Sequence, residues 1–375
     1  MKKFYSILCY YFCTQKLHVR KLTDVTCLTG KEIMLNHLSR RDFMQKATAA
    51  AIAGAVVIPS TPTASCADGD THTQFLGPIC LFSKAAPQLG WSELARAAKE
   101  AGFDGIDLSV RSDGHVLPER AKADLPKAIA AIRNEGIEVP MLTTELLDAS
   151  SPGARPILEI AGKLSVRYIK PGYYLYQSAR PFDDLREAGI KLRTLVELAK
   201  ENGVQIGYHN HPGCVGGSVW DVANVIEHLD PQWCGYYFDL GHASVSEGED
   251  DWRIASNLIR PRLKMLAIKD MTWTGGGDRK WKPVSCPMGN GMAPWKDFLA
   301  LIAKANFQGP ISFSQAYAIP NVADGQGIAI SREAVPRVLA AAKSNLHFLK
   351  SCLHDAFERS SSSERRSVST QSRGV

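Results

Sequence analysis

The chain has 375 residues, 45% of them hydrophobic and 22% charged, so it can bury a large core as one big domain or as two smaller ones. Its formal net charge of +6 arises within residues 1–67, which hold nine Lys and Arg against three acidic residues. The other residues carry 35 basic and 35 acidic side chains, and this balance argues against a nucleic-acid-binding surface.

The N-terminal extension, residues 1–67, has the pattern of an export signal. A twin arginine, Arg40-Arg41, precedes Phe43 and a weakly apolar, alanine-rich run, and small residues follow up to a candidate cleavage site near Ala67. An ordinary amphipathic helix is the alternative interpretation. We expect a twin-arginine signal that exports the folded protein to the periplasm or the cell surface.

The apolar run over 47–58 is too short and too rich in alanine to span a membrane, so we expect membrane contact only during export. Cys66 lies in "TASC", which lacks the leucine of a lipoprotein box, and this argues against a lipid anchor. Because such signals begin close to the twin arginine, we expect Met34 to be the true start.

Export predicts an oxidising compartment. The five cysteines after the extension are odd in number and contain no CxxC pair, so neither a disulfide framework nor a zinc knuckle is expected. We predict that most are buried thiols. They are Cys80, Cys214, Cys234, Cys286 and Cys352.

From about residue 75, short β-rich runs alternate with amphipathic segments such as "WSELARAAKEAGF" and "WKDFLALIAKANF". The runs lie at 77–83, 105–110, 139–144, 167–172, 204–211, 235–242, 264–271 and 309–317. Eight such units predict a single-domain α/β protein, a (β/α)8 TIM barrel over residues 75–350. A Rossmann-like sheet is the alternative, but no GxGxxG follows the first run. Residues 356–375 are rich in Ser and Arg and are predicted to be a disordered tail.

Polar residues follow several of the predicted strands. Because active sites of such barrels form at the carboxyl ends of the strands, we expect these side chains to share one pocket. A single one of them could be structural, and Asp270 could simply cap the next loop. The set is Glu145, Lys170, His209, His211, Asp239, His242, Lys269 and Asp270.

The motif "FDLGH" places Asp239 at the end of a strand and His242 three residues later, so both can reach one ligand from the same side. A carboxylate and imidazoles suit Mn, Fe, Co or Zn. These groups allow a metal but do not require one.

Over residues 75–345 the sequence resembles the xylose isomerase-like barrel family, also described as sugar phosphate isomerases/epimerases and related to the family-two AP endonucleases. The resemblance rests on the order and spacing of several motifs across the whole barrel. They are "GFDGIDL" at strand two, "KPGYY" at 170–174, "YHNH" at 208–211, "FDLGHA" at 238–243, "IKDMTW" at 268–273, "CPMGNGM" at 286–292 and "GPISF" at 309–313.

The resemblance implies one divalent cation held by Glu, Asp, His and Glu from strands five to eight, with the glutamates moving a proton beside a carbonyl. Only Asp239 matches that set, and His242 matches a substrate-contacting histidine. His209 stands at the strand-five Glu position, Ala267 at the strand-seven His position and Ala316 at or near the strand-eight Glu position. Two further departures are Ser314 for a histidine and Asn290 where Glu is common.

These departures predict a degenerate metal site, with His209 and Asp239 as ligands of one divalent cation, or with no cation at all. Lys170 and Lys269 are predicted catalytic residues that neutralise an anionic sugar or enediolate, or attack a carbonyl, unless each is merely paired with an acid. Glu145 is the predicted acid or base. The predicted substrate-binding residues are His211, His242, Tyr173 and Trp273.

The sequence therefore predicts an exported carbohydrate-active isomerase or epimerase, or a 3-keto-sugar lyase, that acts on a sugar or sugar derivative through an enediolate. The alternative is a non-catalytic sugar-binding barrel that has lost its metal and its catalytic glutamates. The endonuclease branch is disfavoured because its many His and Glu ligands are absent. Substrate identity and oligomeric state stay open.

Overall fold

The computed structural model describes residues 74–248, 251–275, 277, 280–314, 317–319, 322 and 331–371, with residues 361–371 described as backbone only. The predicted export signal lies outside these residues, and so does Ala316. The five cysteines of the described part are free thiols, and Cys286 alone among them is not buried. No helix in the described part is both long enough and apolar enough to cross a membrane.

Eight parallel strands close into a barrel in the order β1-β10-β7-β6-β5-β4-β3-β2. The predicted TIM barrel is confirmed, and the Rossmann-like alternative is wrong because β1 pairs with both β2 and β10 and leaves no open edge. The barrel strands are β1 (Ile79–Phe82), β2 (Gly105–Val110), β3 (Glu138–Thr144), β4 (Tyr168–Lys170), β5 (Gln205–His209), β6 (Cys234–Asp239), β7 (Leu263–Ile268) and β10 (Ile311–Phe313).

Helices cover the outside of the barrel. Each has one apolar face that packs on the strands, as Leu94 and Ala98 do at 0% exposure. The first helix, Trp91–Ala101, is capped by Gly102, whose φ of 95° is the left-handed conformation of a helix C-cap. The helices are α1 (Trp91–Ala101), α2 (Ala121–Asn134), α3 (Ala154–Lys163), α4 (Pro181–Glu201), α5 (Val219–Ile226), α6 (Leu240–Ser246), α7 (Asp251–Ile259), α8 (Trp295–Lys304) and α9 (Val335–Gln371).

A β-hairpin interrupts the alternation after β7. Its antiparallel strands, β8 (Asp270–Gly275) and β9 (Trp281–Cys286), stand apart from the barrel sheet. The predicted run 264–271 merged the end of β7 with the start of β8, because the apolar pattern continues across Lys269.

The predicted disordered tail is wrong at its start. α9 continues through Gln371, and Ala356 and Phe357 are buried at 5% and 1% exposure. They extend the apolar spacing of Leu349 and Leu353, which places all four on one face of the helix. The Ser- and Arg-rich composition hid this face.

Candidate active site

A cavity of about 350 Å³ opens at the carboxyl ends of the barrel strands. All eight barrel strands, or the loops that follow them, contribute polar groups to it, as the barrel geometry allows. Its lining includes the two predicted lysines and three histidines. The residues are Phe82, Lys84, Asp107, Arg111, Thr143, Lys170, Tyr173, His209, His211, Tyr237, His242, Ala267, Lys269, Ser285 and Ser314.

The carboxylate of Asp239, at 0% exposure, is the centre of a polar cluster at this end of the barrel. Its Oδ2 lies 3.2 Å from His209 Nε2 and 3.0 Å from Lys269 Nζ. Its Oδ1 accepts a 2.9 Å hydrogen bond from the backbone N–H of His242, since Asp239 is the N-cap of α6. Burial alone would raise the pKa of Asp239, but His242, Lys269 and His209 hold it well below the usual range.

Asn210 fixes the position of this cluster from the neighbouring strand. Its side-chain amide donates to the carbonyl of Asp239 and accepts from the backbone N–H of the same residue, at 3.0 and 2.7 Å. Its own carbonyl lies 2.8 Å from His242 Nδ1. The middle residue of "HNH" therefore holds the ends of β5 and β6 together. The sequence alone did not single it out.

Both buried histidines of the cluster are neutral, because burial lowers the pKa of His209 and of His242 to about 3. His209 Nε2 must donate to the carboxylate of Asp239, so its Nδ1 accepts the hydroxyl of Tyr173 at 2.7 Å. Burial raises the pKa of Tyr173 well above its ordinary value, which keeps that hydroxyl protonated. His242 Nδ1 donates to Asn210, so its Nε2 accepts from Lys269 Nζ at 2.9 Å.

The donor atoms of His209, Asp239 and His242 lie within 4.8 Å of one another, the spacing of a metal cluster. As they stand, these residues do not fit a divalent cation. An imidazole ligand needs an unprotonated nitrogen, and the unprotonated nitrogens here face the Tyr173 hydroxyl and the Lys269 ammonium. The ammonium also neutralises Asp239 Oδ2.

A second group of polar side chains lies across the cavity, centred on Asp107. This residue of β2 is 1% exposed, and its carboxylate accepts the hydroxyls of Thr143 at 2.8 Å and Ser312 at 2.7 Å. Burial raises the pKa of Asp107 to about 6, although these hydrogen bonds act in the opposite direction. An acid within a buried strand, in "GIDLSV", was the sequence signal for this residue, and the prediction overlooked it.

Lys170, at the end of β4, is 3% exposed, and its Nζ lies 3.4 Å from the centre of the Tyr173 ring. Burial, followed by the nearby charge of Arg111, lowers the pKa of Lys170 to about 7. A lysine in this state is partly an uncharged amine at neutral pH and can accept a proton. Tyr173 therefore contacts both a base and, through His209, the Asp239 cluster.

His211 lies at the rim of the cavity. Its ring is 4.8 Å from that of Tyr173 and 4.6 Å from that of His242, measured between ring centres. Burial lowers the pKa of His211 to about 3, so its imidazole is neutral. Its Nδ1 lies 2.9 Å from the carbonyl of Pro212. The predicted substrate-binding residues Tyr173, His211 and His242 thus share one wall.

Two of the predicted site residues lie elsewhere. Glu145 does not line the cavity, because its exposed carboxylate accepts the backbone N–H and the hydroxyl of Ser112 at 3.1 and 2.9 Å. Trp273 is 40% exposed on β8 and is also absent from the cavity lining. Position after a strand does not fix where a loop side chain points, so these two residues were not brought into the cavity with the others.

Besides His209, three of the family departures can be placed. Ala267 and Ser314 line the cavity. The cavity therefore lacks a ligand at the strand-seven position, and it has a hydroxyl just after β10, the eighth strand of the barrel. Asn290 is exposed on the loop after β9.

Asp270 is buried outside the cavity and orders the loop that follows β9. Its carboxylate accepts backbone N–H groups of Met271 and Gly289 at 2.9 Å, and of Gly291 and Ala293 at 3.2 Å. Gly291 must lack a side chain, because a Cβ there would meet the carboxylate of Asp270. The alternative interpretation of Asp270 as a loop cap is therefore correct.

A family model described as "Xylose isomerase-like TIM barrel" matches residues 95–335. An inosose dehydratase of Bacillus anthracis is 27% identical over 128 residues, which cover 32% of this chain and 42% of the dehydratase. An inosose dehydratase of Mesomycoplasma hyopneumoniae is 26% identical over 145 residues, or 36% and 47% of the two chains. The chain thus spans less than half the length of these relatives.

The fold was compared with solved structures. A xylose isomerase-like TIM barrel protein from Mycobacterium smegmatis, in complex with magnesium, aligns with a TM-score of 0.58 at 15% identity and covers 75% of this chain and 98% of its own. D-psicose 3-epimerase from Clostridium cellulolyticum, with D-tagatose, aligns with a TM-score of 0.55 at 14% identity. The alignment covers 74% of this chain and 99% of the epimerase. The 3-keto-D-glucoside 4-epimerase of E. coli aligns with a TM-score of 0.54 at 17% identity, and the alignment covers 74% of this chain and 100% of the epimerase. These likenesses show a shared fold.

Proposed function

Because the chain belongs to the xylose isomerase-like TIM barrel family, we propose that its cavity binds a sugar or an oxidised sugar derivative and catalyses isomerisation, epimerisation or 3-keto-sugar elimination through an enediolate. Relatives and structural neighbours named as dehydratases and sugar epimerases support this class of reaction. The observation that carries the proposal is a pair of buried groups in one cavity, Asp107 and Lys170, with pKa values of about 6 and 7.

In the proposed reaction, uncharged Lys170 Nζ takes a proton from the carbon next to the substrate carbonyl. The C–H electron pair becomes the C=C bond of an enediolate, and the carbonyl π electrons move to its oxygen. The Lys269 ammonium stabilises that oxyanion. Reprotonation at another carbon or on the other face gives an isomer or an epimer, whereas loss of a neighbouring oxygen substituent gives an elimination product. Asp107 is the second group able to exchange a proton here.

The proposal is tested by proton exchange. The full-length chain is incubated in D₂O with ketoses and 3-keto-glycosides, and deuterium at the carbon beside the carbonyl is followed by NMR together with product formation. We expect Lys170→Met to slow exchange by at least ~10²-fold, the usual contribution of a general base. Lys264→Met is the matched control, because that lysine lies on β7 and bonds the Gln232 carbonyl outside the cavity. An equal slowing of deuterium exchange in the Lys170 and Lys264 variants would contradict the proposal.

The second candidate function is a non-catalytic sugar-binding barrel. Ala267 favours it, because this cavity residue offers no group to hold a metal or move a proton. The same experiment separates the two functions. A sugar that raises the melting temperature without any deuterium exchange would support the binding protein and exclude the enediolate reaction for that sugar.

We also propose that the protein is exported by the twin-arginine pathway, on the pattern of Arg40-Arg41 and the apolar run after it. The test is to fuse residues 34–75 to a reporter protein that is active only after export. Replacing Arg40 and Arg41 together by lysine should abolish the reporter signal. A signal unchanged by that replacement would contradict this route.

A further inference from the structure

We infer that the ammonium group of Lys269 takes the place of a divalent cation at the His209–Asp239–His242 cluster, and that this lysine masks a latent metal site. The inference deepens the proposed function, because any catalytic role of the positive charge beside Asp239 rests on that function. Metal binding itself is measured without substrate, so either proposal can fail without the other.

The position of Lys269 Nζ is the first argument. It lies 3.0 Å from Asp239 Oδ2 and 2.9 Å from His242 Nε2, which are two of the three atoms that would have to bind a metal. Zinc-type ions bind such oxygens and nitrogens at about 2.0–2.2 Å. An ion bound to both atoms would therefore sit close to the ammonium, and two cations at that distance repel each other in a cavity shielded from water.

The second argument is that the cluster is fully paired around this lysine. Asp239 Oδ2 accepts hydrogen bonds from Lys269 Nζ and His209 Nε2, while Oδ1 accepts one from the backbone N–H of His242. Lys269 also provides the donor for the unprotonated nitrogen of His242. A buried carboxylate needs a positive partner, and the lysine supplies one from within the chain. Without it, one carboxylate and two neutral imidazoles would face the same space, and this is a ligand set that cobalt and zinc accept.

The third argument comes from the register of β6 and β7. Asp239 pairs with Ala267, so the strand-seven position next to the carboxylate carries only a methyl group. That small side chain leaves room beside Asp239, and Lys269, two residues farther along, reaches into this space. Lys269 is only 12% exposed at its side chain, so its charge acts inside the cavity and not in bulk water.

The inference is tested by unmasking the site. The full-length chain, without a histidine tag and treated with a chelator, is titrated with Co²⁺ while the visible absorption of the bound ion is recorded. We expect Lys269→Ala to bind one Co²⁺ with a dissociation constant at least tenfold lower than that of the wild type. The gain should vanish in Lys269→Ala/Asp239→Asn, and Lys264→Ala, at a lysine of β7 outside the cavity, should behave like the wild type.

Two results would overturn the inference. One is a wild-type protein that binds a single Co²⁺ equivalent as tightly as the Lys269 variant. The other is a folded Lys269 variant that gains no binding. Lys269→Met, which keeps most of the side-chain volume, replaces Lys269→Ala if thermal unfolding shows that the alanine variant is not folded, and the same two results decide.

Discussion

Asp107 combines full burial with only hydroxyl partners, so its carboxylate has no cation in hydrogen-bonding contact among the described residues. This explains why its pKa rises to about 6 while that of Asp239, in contact with Lys269, falls. Asp107 therefore exchanges a proton near pH 6, where Asp239 stays ionised. Environment, not residue type, separates a proton-exchanging acid from a permanent anion.

The raised pKa of Asp107 gives a pH-dependent loss of stability. Below pH 4 the group is protonated in both the folded and the unfolded chain. Between about pH 4 and 6 only the unfolded chain releases the proton, so the free energy of unfolding falls as pH rises, by about 3 kcal/mol for two pKa units. We expect Asp107→Asn to remove this fall, measured by chemical denaturation across pH. Asp113→Asn, at an exposed carboxylate, should retain it.

Lys170 should shape the pH dependence of activity. Its pKa of about 7 means that raising the pH from 6 to 8 converts most of it to the uncharged amine. We expect kcat/KM for the proposed reaction to rise with pH over this range and then level off. A profile that falls between pH 6 and 8 would rule out Lys170 as the base. Steady-state kinetics on an active ketose or keto-glycoside provides the measurement.

The hairpin β8–β9 is the element that the sequence did not reveal. Lys269 lies at the break between β7 and β8, and Asp270 is the first residue of β8. Lys269 contacts Asp239 at the end of β6, while Asp270 contacts the loop after β9. The sequence alone left open which acid Lys269 pairs with. Only the pairing of the strands decides between these partners.

The loop after β9 depends on one carboxylate. Asp270→Asn would replace an acceptor by an amide that also carries donors, in front of four backbone N–H groups. We expect a loss of about 2–4 kcal/mol in the free energy of unfolding. Hydrogen exchange should rise over residues 281–293, ahead of the barrel strands. Asp297→Asn, at an exposed ion pair on α8, is the control and should leave the exchange unchanged.

At the scale of the whole molecule, the alternation of strands and helices was enough to predict the closed barrel, because eight units and no open edge leave few other topologies. The convergence of His209, Asp239 and Lys269 also followed from their places at strand ends. Asp107 could not be located in this way, since it lies in the middle of a strand and faces inward. The exact pairing of the cluster depends on strand register, which composition does not encode.

The middle of α9 packs against the segment that precedes β1. The ring of Phe357, in α9, lies 5.9 Å from that of Phe75, just before β1. We expect Phe357→Ala to lower the free energy of unfolding by about 3–5 kcal/mol, the usual result of emptying a buried aromatic site. Arg359→Ala, at a residue whose side chain is 74% exposed, should change it little. Equal melting temperatures for the Phe357 variant and the wild type would contradict the packing.

The ammonium beside Asp239 is covalently part of the polypeptide, which has a consequence for how the protein behaves on dilution. A bound ion leaves its site at a rate set by its affinity, and its occupancy follows the surrounding concentration. A side chain has no such equilibrium. Every folded copy therefore has this amino group beside Asp239, whatever salts or scavengers surround it.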